Sequence, residues 1–350
     1  MAAILHGGGL TAAIEAYGGE AADWLDLSTG INPVPPALPD IPMEVWNRLP
    51  DQALVDAARR AAYDWYLGGS PHDGDRAWPQ AQDAAGPVCL PLPVPGTQAL
   101  IQKLPSLVPP GRAVAILSPT YGEYAHCFAA AGFRVDALGS LDDLRAEHGT
   151  LVVVNPNNPD GRRLSRAHLV ALHGRMLAQQ GHLHVDEAFG DCQPELSVAD
   201  LAGRSAGLTV SRSFGKVFGL AGVRLGFVFA LPDCLRAVEA SLGPWAVSGP
   251  ALHLARHLMT GDRLSLHEAI DQRRRGLQRV LDSAGLHLVG GTELFALVAH
   301  PDAARLFDHL ANAHILVRKF DYAPDWLRIG LTPNQQEDER LERRLASFEP

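Results

Sequence analysis

From Pro95 onward, short apolar runs alternate with stretches whose apolar residues recur at helical spacing. The runs AVAILS (113–118), TLVVVN (150–155), GHLHVDEAF (181–189), GLTVSRS (207–213) and LGFVFA (225–230) are β-rich and bounded by turn residues, which predicts strands. RAHLVALHGRMLAQQ (166–180) has the helical pattern. Strand and helix alternating at this length predict an α/β domain, a mostly parallel mixed sheet wrapped by helices. Beyond Pro244 the pattern changes. A helical region over 250–284 leads to GLHLVGGTELFALVAH, a further helix, HILVRKF and DWLRIGLT, which predicts a smaller α+β domain. The segment up to about Trp46 shows little pattern after its first helix, and it is assigned to that smaller domain. The expected division is therefore a large domain over 47–243 and a small one from 1–46 and 244–350. Between Gly68 and Pro95, Gly, Pro, Asp and Gln cluster into a long loop that ends in a short strand, VCLPLPV.

Composition narrows the function classes. With 47% apolar and 20% charged residues the chain is globular and long enough for a sizeable core. A net charge of -9 argues against a nucleic-acid partner, because phosphate binding needs a clustered cationic surface. The one basic run, Arg273 to Arg275, reads as a helix's solvated turn. No Lys or Arg precedes Arg48 and no apolar run approaches the roughly 18 residues of a spanning helix. Secretory signal, transit peptide and membrane anchor are thus not expected, and a cytoplasmic enzyme is. Cys89, Cys127, Cys192 and Cys234 form no C-x-x-C pair, so no metal or redox motif is expected.

The chain has only three lysines, and one stands in SRSFGKVFGLAGVRLG (211–226), so its setting is informative. A lysine that forms a Schiff base needs small neighbours, such as Gly215 and Gly219, so that backbone can approach a cofactor. Ser213 and Arg224 then serve as donors to one anion. An aldehyde cofactor carrying a phosphate meets both demands: pyridoxal 5'-phosphate (PLP). In PGTQALI (95–101), Gly96 and Thr97 open a helix whose free N–H groups can hold that phosphate, a weak signal alone. In SPTYGEY (118–124), the Tyr121 ring can stack on the pyridine; an ordinary buried tyrosine would leave the same trace. In HVDEAF (184–189), Asp186 can pair with the protonated pyridine nitrogen. At about 4 Å and an effective dielectric near 20 this is worth on the order of 4 kcal/mol, enough to keep the ring an electron sink. Strand alternation turns Glu187 to the opposite side. In NPNNPDG (155–161), Asn158 can donate to the cofactor's ring oxygen, and a plain turn would have the same composition.

In order along the chain, S-x-x-K with Arg eight residues on, N-P-x-N-P-x-G and D-E-A-F resemble the class I/II aminotransferase family of fold-type I PLP enzymes, over almost the whole length. The resemblance implies Lys216 as the Schiff-base lysine, Asp186 on the pyridine nitrogen, Asn158 on the ring oxygen and Tyr121 stacking. It assigns the cofactor phosphate to Ser213, Arg224, Gly96 and Thr97. Arg328 matches the arginine that grips the substrate carboxylate, and Arg318 a second substrate-side arginine. A homodimer is also implied.

LHGGG (5–9), DLSTGINP (26–33) and PWAVSGPA (244–251) resemble the threonine-phosphate decarboxylase branch. That branch places His6 near the substrate phosphate and Asn32 among the substrate-binding residues. It implies decarboxylation of a phosphorylated amino acid, L-threonine O-3-phosphate, for cobalamin biosynthesis. Departures from the wider family are Gly30 for Asn, Gly215 for Ser or Thr, Leu49 for a tyrosine that reaches the neighbouring subunit's cofactor phosphate, and Phe189 for another tyrosine; the decarboxylase branch shares Phe189. The alternatives are a histidinol-phosphate or other aminotransferase, separated by its keto-acid product, and a non-catalytic PLP-fold binding protein, against which Lys216, Asp186 and Arg224 argue.

Overall fold

The computed structural model describes residues 7–68 and 89–349. The chain forms two compact units, one made of Pro36–Asn158 and Arg163–Ser265, the other of Met1–Pro35, Pro159–Arg162 and Leu266–Pro350.

The first unit is built on a seven-stranded sheet. Its strands are β1 (Leu92–Val94), β2 (Ala113–Leu117), β3 (Val135–Leu138), β4 (His148–Val154), β5 (His182–Asp186), β6 (Leu208–Ser213) and β7 (Gly226–Phe229). They lie in the order β1-β7-β6-β5-β4-β2-β3. Every pair from β3 to β6 is parallel, whereas β7 runs antiparallel to both β6 and β1. Strands β2, β4, β5, β6 and β7 are buried along their whole length. That is why they read as continuous apolar runs and not as alternating ones. The C-terminal ends of β1, β2, β4, β5 and β6 consequently share one edge, where open α/β sheets form their ligand crevice.

Helix α1 (Gln52–Leu67) starts at Asp51, whose carboxylate accepts from the Leu54 amide at 2.9 Å. Helix α2 (Thr97–Leu107) follows Gly96, and α3 (Arg166–Ala178) is capped by Ser165. The helical region expected over 250–284 is two helices, α4 (Gly249–Leu258) and α5 (Arg263–Ser283), because the intervening Met-Thr-Gly-Asp breaks the repeat. Of the loop expected over 68–95, residues 69–88 lie outside the described residues.

The second unit holds an antiparallel sheet of β8 (His287–Thr292), β9 (Phe295–Ala299), β10 (Arg318–Phe320) and β11 (Ala323–Gly330), in the order β10-β11-β9-β8. The N-terminal segment joins it by parallel pairing of Leu25–Asp26 with Ile315–Leu316. The final helix, α6 (Gln335–Ala346), is capped by Asn334.

One expectation is corrected here. Arg274 and Arg275 are exposed on Asp271, but Arg273 is buried and donates to Asp338 at 3.0 Å. Its spacing from Ile270 and Leu277, both buried, places it on the inner face of α5. No helix among the described residues is long and apolar enough to cross a membrane.

Candidate active site

Register assembles the crevice of the first unit. Ser213 at the end of β6 lies opposite Gly226 of β7, and Gly226 lies opposite Val94 of β1. Asp186 ends β5 beside Ser211 of β6, and its carbonyl accepts from the Asn155 amide at 2.8 Å, which brings the NPNNPDG turn to the same edge. Lys216 follows Ser213 on a single helical turn, Phe214–Val217. The sheet edge thus gathers segments far apart in the sequence.

One end of the crevice is suited to an anion. Gly96 has φ 77° and ψ 154°, and a Cβ there would lie 2.8 Å from Nη2 of Arg224. Only glycine lets the guanidinium approach the start of α2, whose first turn has no side-chain cap. Arg224 itself adopts a left-handed conformation, φ 55° and ψ 59°, and its Nη1 donates to the Ala221 carbonyl at 3.1 Å. A helix N-terminus beside a guanidinium makes an anion cradle that an added methyl would fill. The unusual Gly215 has a local cause as well, since a Cβ there would stand 2.7 Å from Cα of Ala221.

The other end is carboxylate chemistry. Asp186 is buried; its Oδ2 accepts from the Tyr124 hydroxyl at 2.8 Å, and its Oδ1 accepts from the Ala188 amide at 3.0 Å and the Ser211 hydroxyl at 3.2 Å. Burial pushes its carboxyl up, and these donors together with the charge of Lys216 pull it back. Glu187 has a separate set of partners, as alternation requires: Oε2 accepts from Ser197 at 2.6 Å and Arg212 at 2.7 Å, and Oε1 from the Val198 amide at 2.8 Å. Between the two ends, the ammonium of Lys216 lies 5.6 Å from the centre of the Phe189 ring. Tyr121 donates to Gln98 at 3.2 Å; burial, then Glu123, push its hydroxyl up to about 12, so it stays neutral. In the turn, Asn157 is locked, accepting from Thr120 at 2.6 Å and donating to the Pro119 carbonyl at 2.8 Å; Asn158 follows it, half-buried.

The second unit carries the other candidates. Arg318 and Arg328 are register partners across β10 and β11, two cations where a sheet favours opposite charges. Arg328 is buried, donates to the Ser28 carbonyl at 2.6 Å and lies 5.0 Å from the Phe295 ring centre. Burial, then Arg318, lower it to about 10. Such a pair is suited to a carboxylate or phosphate. Asn32 is buried and accepts from the Val34 amide at 3.0 Å. His6 lies outside the described residues. Leu49, at the position of the family tyrosine, is exposed.

Tyr124 and Ser211, which bond Asp186, and His184 and Thr209 behind them are not among the residues that the motifs single out. The signal was available, since His184 and Asp186 are two apart on β5 and share a face.

This combination defines a class. The chain belongs to the aminotransferase class I and II family, whose model matches residues 23–345. A threonine-phosphate decarboxylase of Sinorhizobium sp is 54% identical over 99% of both chains. Another from Pseudomonas aeruginosa is 40% identical over 98% of this chain and 97% of its own. Among solved structures, a histidinol-phosphate aminotransferase of Sinorhizobium meliloti in complex with PLP superposes with a TM-score of 0.76 at 20% identity, covering 98% of this chain and 96% of its own. The expected α/β fold of fold-type I is the one observed. PLP is the cofactor. The anion cradle at Gly96 and Arg224 and the buried Asp186 fit its phosphate and its ring nitrogen.

Proposed function

We propose that the chain decarboxylates L-threonine O-3-phosphate to (R)-1-amino-2-propanol O-2-phosphate in cobalamin biosynthesis. The observation that carries this reading is 54% identity across the full length to a protein named for that reaction. When bound, PLP supplies an electron sink for the bond broken at the substrate's Cα. Asp186 keeps the ring nitrogen protonated, and Ser213, Arg224, Gly96 and Thr97 hold the cofactor phosphate. Tyr121 covers the ring face, and Asn158 donates to the ring oxygen. Phe189, which has no hydroxyl, leaves that oxygen without the tyrosine donor of the aminotransferases.

Arg328 and Arg318 hold the substrate carboxylate, Asn32 helps to orient it, and His6 contacts the substrate phosphate. By their grip on the carboxylate the arginines would decide which group leaves Cα, carbon dioxide or the hydrogen. Lys216 would hold the cofactor by its aldehyde, and its amine would carry the proton that Cα gains as the carboxylate leaves. The enzyme works in the cytoplasm as a homodimer; exposed Trp46 and Trp245, each 59% accessible on the first unit, are consistent with a partner surface.

The test is product identity. Phosphorus NMR and mass spectrometry of the holoenzyme with L-threonine O-3-phosphate should show the phosphorylated amino alcohol. A phosphorylated 2-oxo acid in its place overturns the assignment. Sedimentation should give twice the chain mass, and a monomer at working concentration contradicts the dimer.

A further inference from the structure

Behind Asp186 the shared face of β5 and β6 carries a ladder of buried polar side chains in direct hydrogen-bond contact. His184 is register partner of Thr209, and Asp186 of Ser211. Tyr124 packs on them from the helix Glu123–Ala130. His184, Thr209, Ser211 and Tyr124 are fully buried. The Tyr124 hydroxyl lies 2.8 Å from Oδ2 of Asp186 and 3.1 Å from Nε2 of His184. Nδ1 of His184 lies 2.8 Å from Oγ1 of Thr209, which in turn lies 3.0 Å from Nε2 of His182.

Proton counting gives this chain a direction. An ionised Asp186 only accepts, so the single proton of Tyr124 goes to it. The Tyr124 oxygen is then an acceptor, and Nε2 of His184 must carry the hydrogen. A neutral imidazole with Nε2–H has a bare Nδ1, which takes the Thr209 proton; Thr209 in turn accepts from Nε2–H of His182. Each donor points towards Asp186, and such chains strengthen cooperatively in a buried, low-dielectric interior.

We infer that His184, acting through Tyr124, is a positioning residue for Asp186: the one-way chain His182–Thr209–His184–Tyr124 holds the carboxylate ionised and fixed in orientation for the cofactor's ring nitrogen. Burial alone drives Asp186 towards its neutral acid, which cannot pair with a protonated ring. Burial also lowers His184 to about 3 and His182 to about 4, so both stay neutral and the direction of the chain is kept. Opposing tautomers would turn the Tyr124 proton away from Asp186. The inference rests on the reading of Asp186 as partner of the ring nitrogen.

Two measurements test it. In the apoenzyme, nitrogen NMR of His184 should show hydrogen on Nε2; hydrogen on Nδ1, or an imidazolium at neutral pH, overturns the chain whatever the cofactor does. In the holoenzyme carrying ring-labelled [15N]PLP, the ring-nitrogen shift should read protonated in wild type and move towards the unprotonated value in Tyr124→Phe and His184→Leu. His184→Gln, which keeps an N–H near Nε2, should restore it. The two disrupting variants should lower kcat on the order of 10–100-fold, as when a hydrogen bond that orients a functional group is removed. If Asp186→Ala moves the ring-nitrogen signal and His184→Leu does not, the chain is refuted and the reading of Asp186 stands. If Asp186→Ala leaves the signal in place, both fall.

Discussion

Gly96 occupies a backbone region that is essentially closed to side chains, φ 77° with ψ 154°, and it borders the guanidinium of Arg224. Gly96→Ala should therefore destabilise the protein by about 1–3 kcal/mol and weaken PLP binding; urea melts with a cofactor titration check this, and unchanged values for both contradict the cradle. Lys216→Ala should fold and still hold PLP, yet lose turnover on the order of 10³-fold or more. Circular dichroism with an activity assay separates the two effects, and full activity refutes the role given to this lysine. His184 should also mark the pH dependence of stability. Its ordinary value of 6.5 falls to about 3 on folding, so between these values the unfolded chain binds the extra proton and stability drops as pH falls. Against His184→Gln, wild type should show a steeper loss from pH 6.5 downwards, by up to about 1.4 kcal/mol per pH unit. The raised carboxyls of Asp186, Glu187 and Asp191 act in the opposite sense in both proteins and cancel in the difference. Parallel slopes would mean that His184 is protonated in the native state.

Between elements, β5 and β6 are tied behind the crevice by Glu187 and Arg212, both about 1% exposed and 2.7 Å apart, with the Arg212 guanidinium 4.5 Å from the Tyr66 ring centre. Glu187→Ala strands a buried cation and should cost about 3–5 kcal/mol in a chemical melt; a change below about 1 kcal/mol would show that Asp191, 3.8 Å away, suffices. Elements of this kind were unevenly legible beforehand. The five central strands announced themselves because both their faces are buried, and the turn to Asp186 with Glu187 on the far side followed from the period of two. The pairing of Leu25–Asp26 with Ile315–Leu316 joins residues almost 300 positions apart, and no local pattern encodes it. Arg273 was misread because a run of like charges suggests solvent, whereas the face on which each one falls depends on helix phase and on an acid, Asp338, supplied by a distant helix. The polar ladder behind Asp186 was hidden for a related reason: its members are ordinary residues until register sets them side by side.

At the scale of the whole molecule, the segments from Gly96 to Arg224 proposed for the cofactor stand out as motifs, because each needs a fixed residue type at a fixed spacing from a strand end. The reaction was not readable there, since aminotransferases share those motifs. It depends on how the substrate is held, the role proposed for Arg318, Arg328, Asn32 and His6. His6→Ala should thus weaken binding of threonine phosphate more than that of threonine, and an equal effect on both removes His6 from the phosphate contact. The central claim is that the substrate's carboxylate, and not its Cα hydrogen, is the group lost. Single turnover of L-threonine O-3-phosphate labelled with carbon-13 in the carboxylate and deuterium at Cα tests it directly. Labelled carbon dioxide and a product amine that keeps its deuterium are expected; deuterium lost to solvent with the label retained in a 2-oxo acid would contradict the claim.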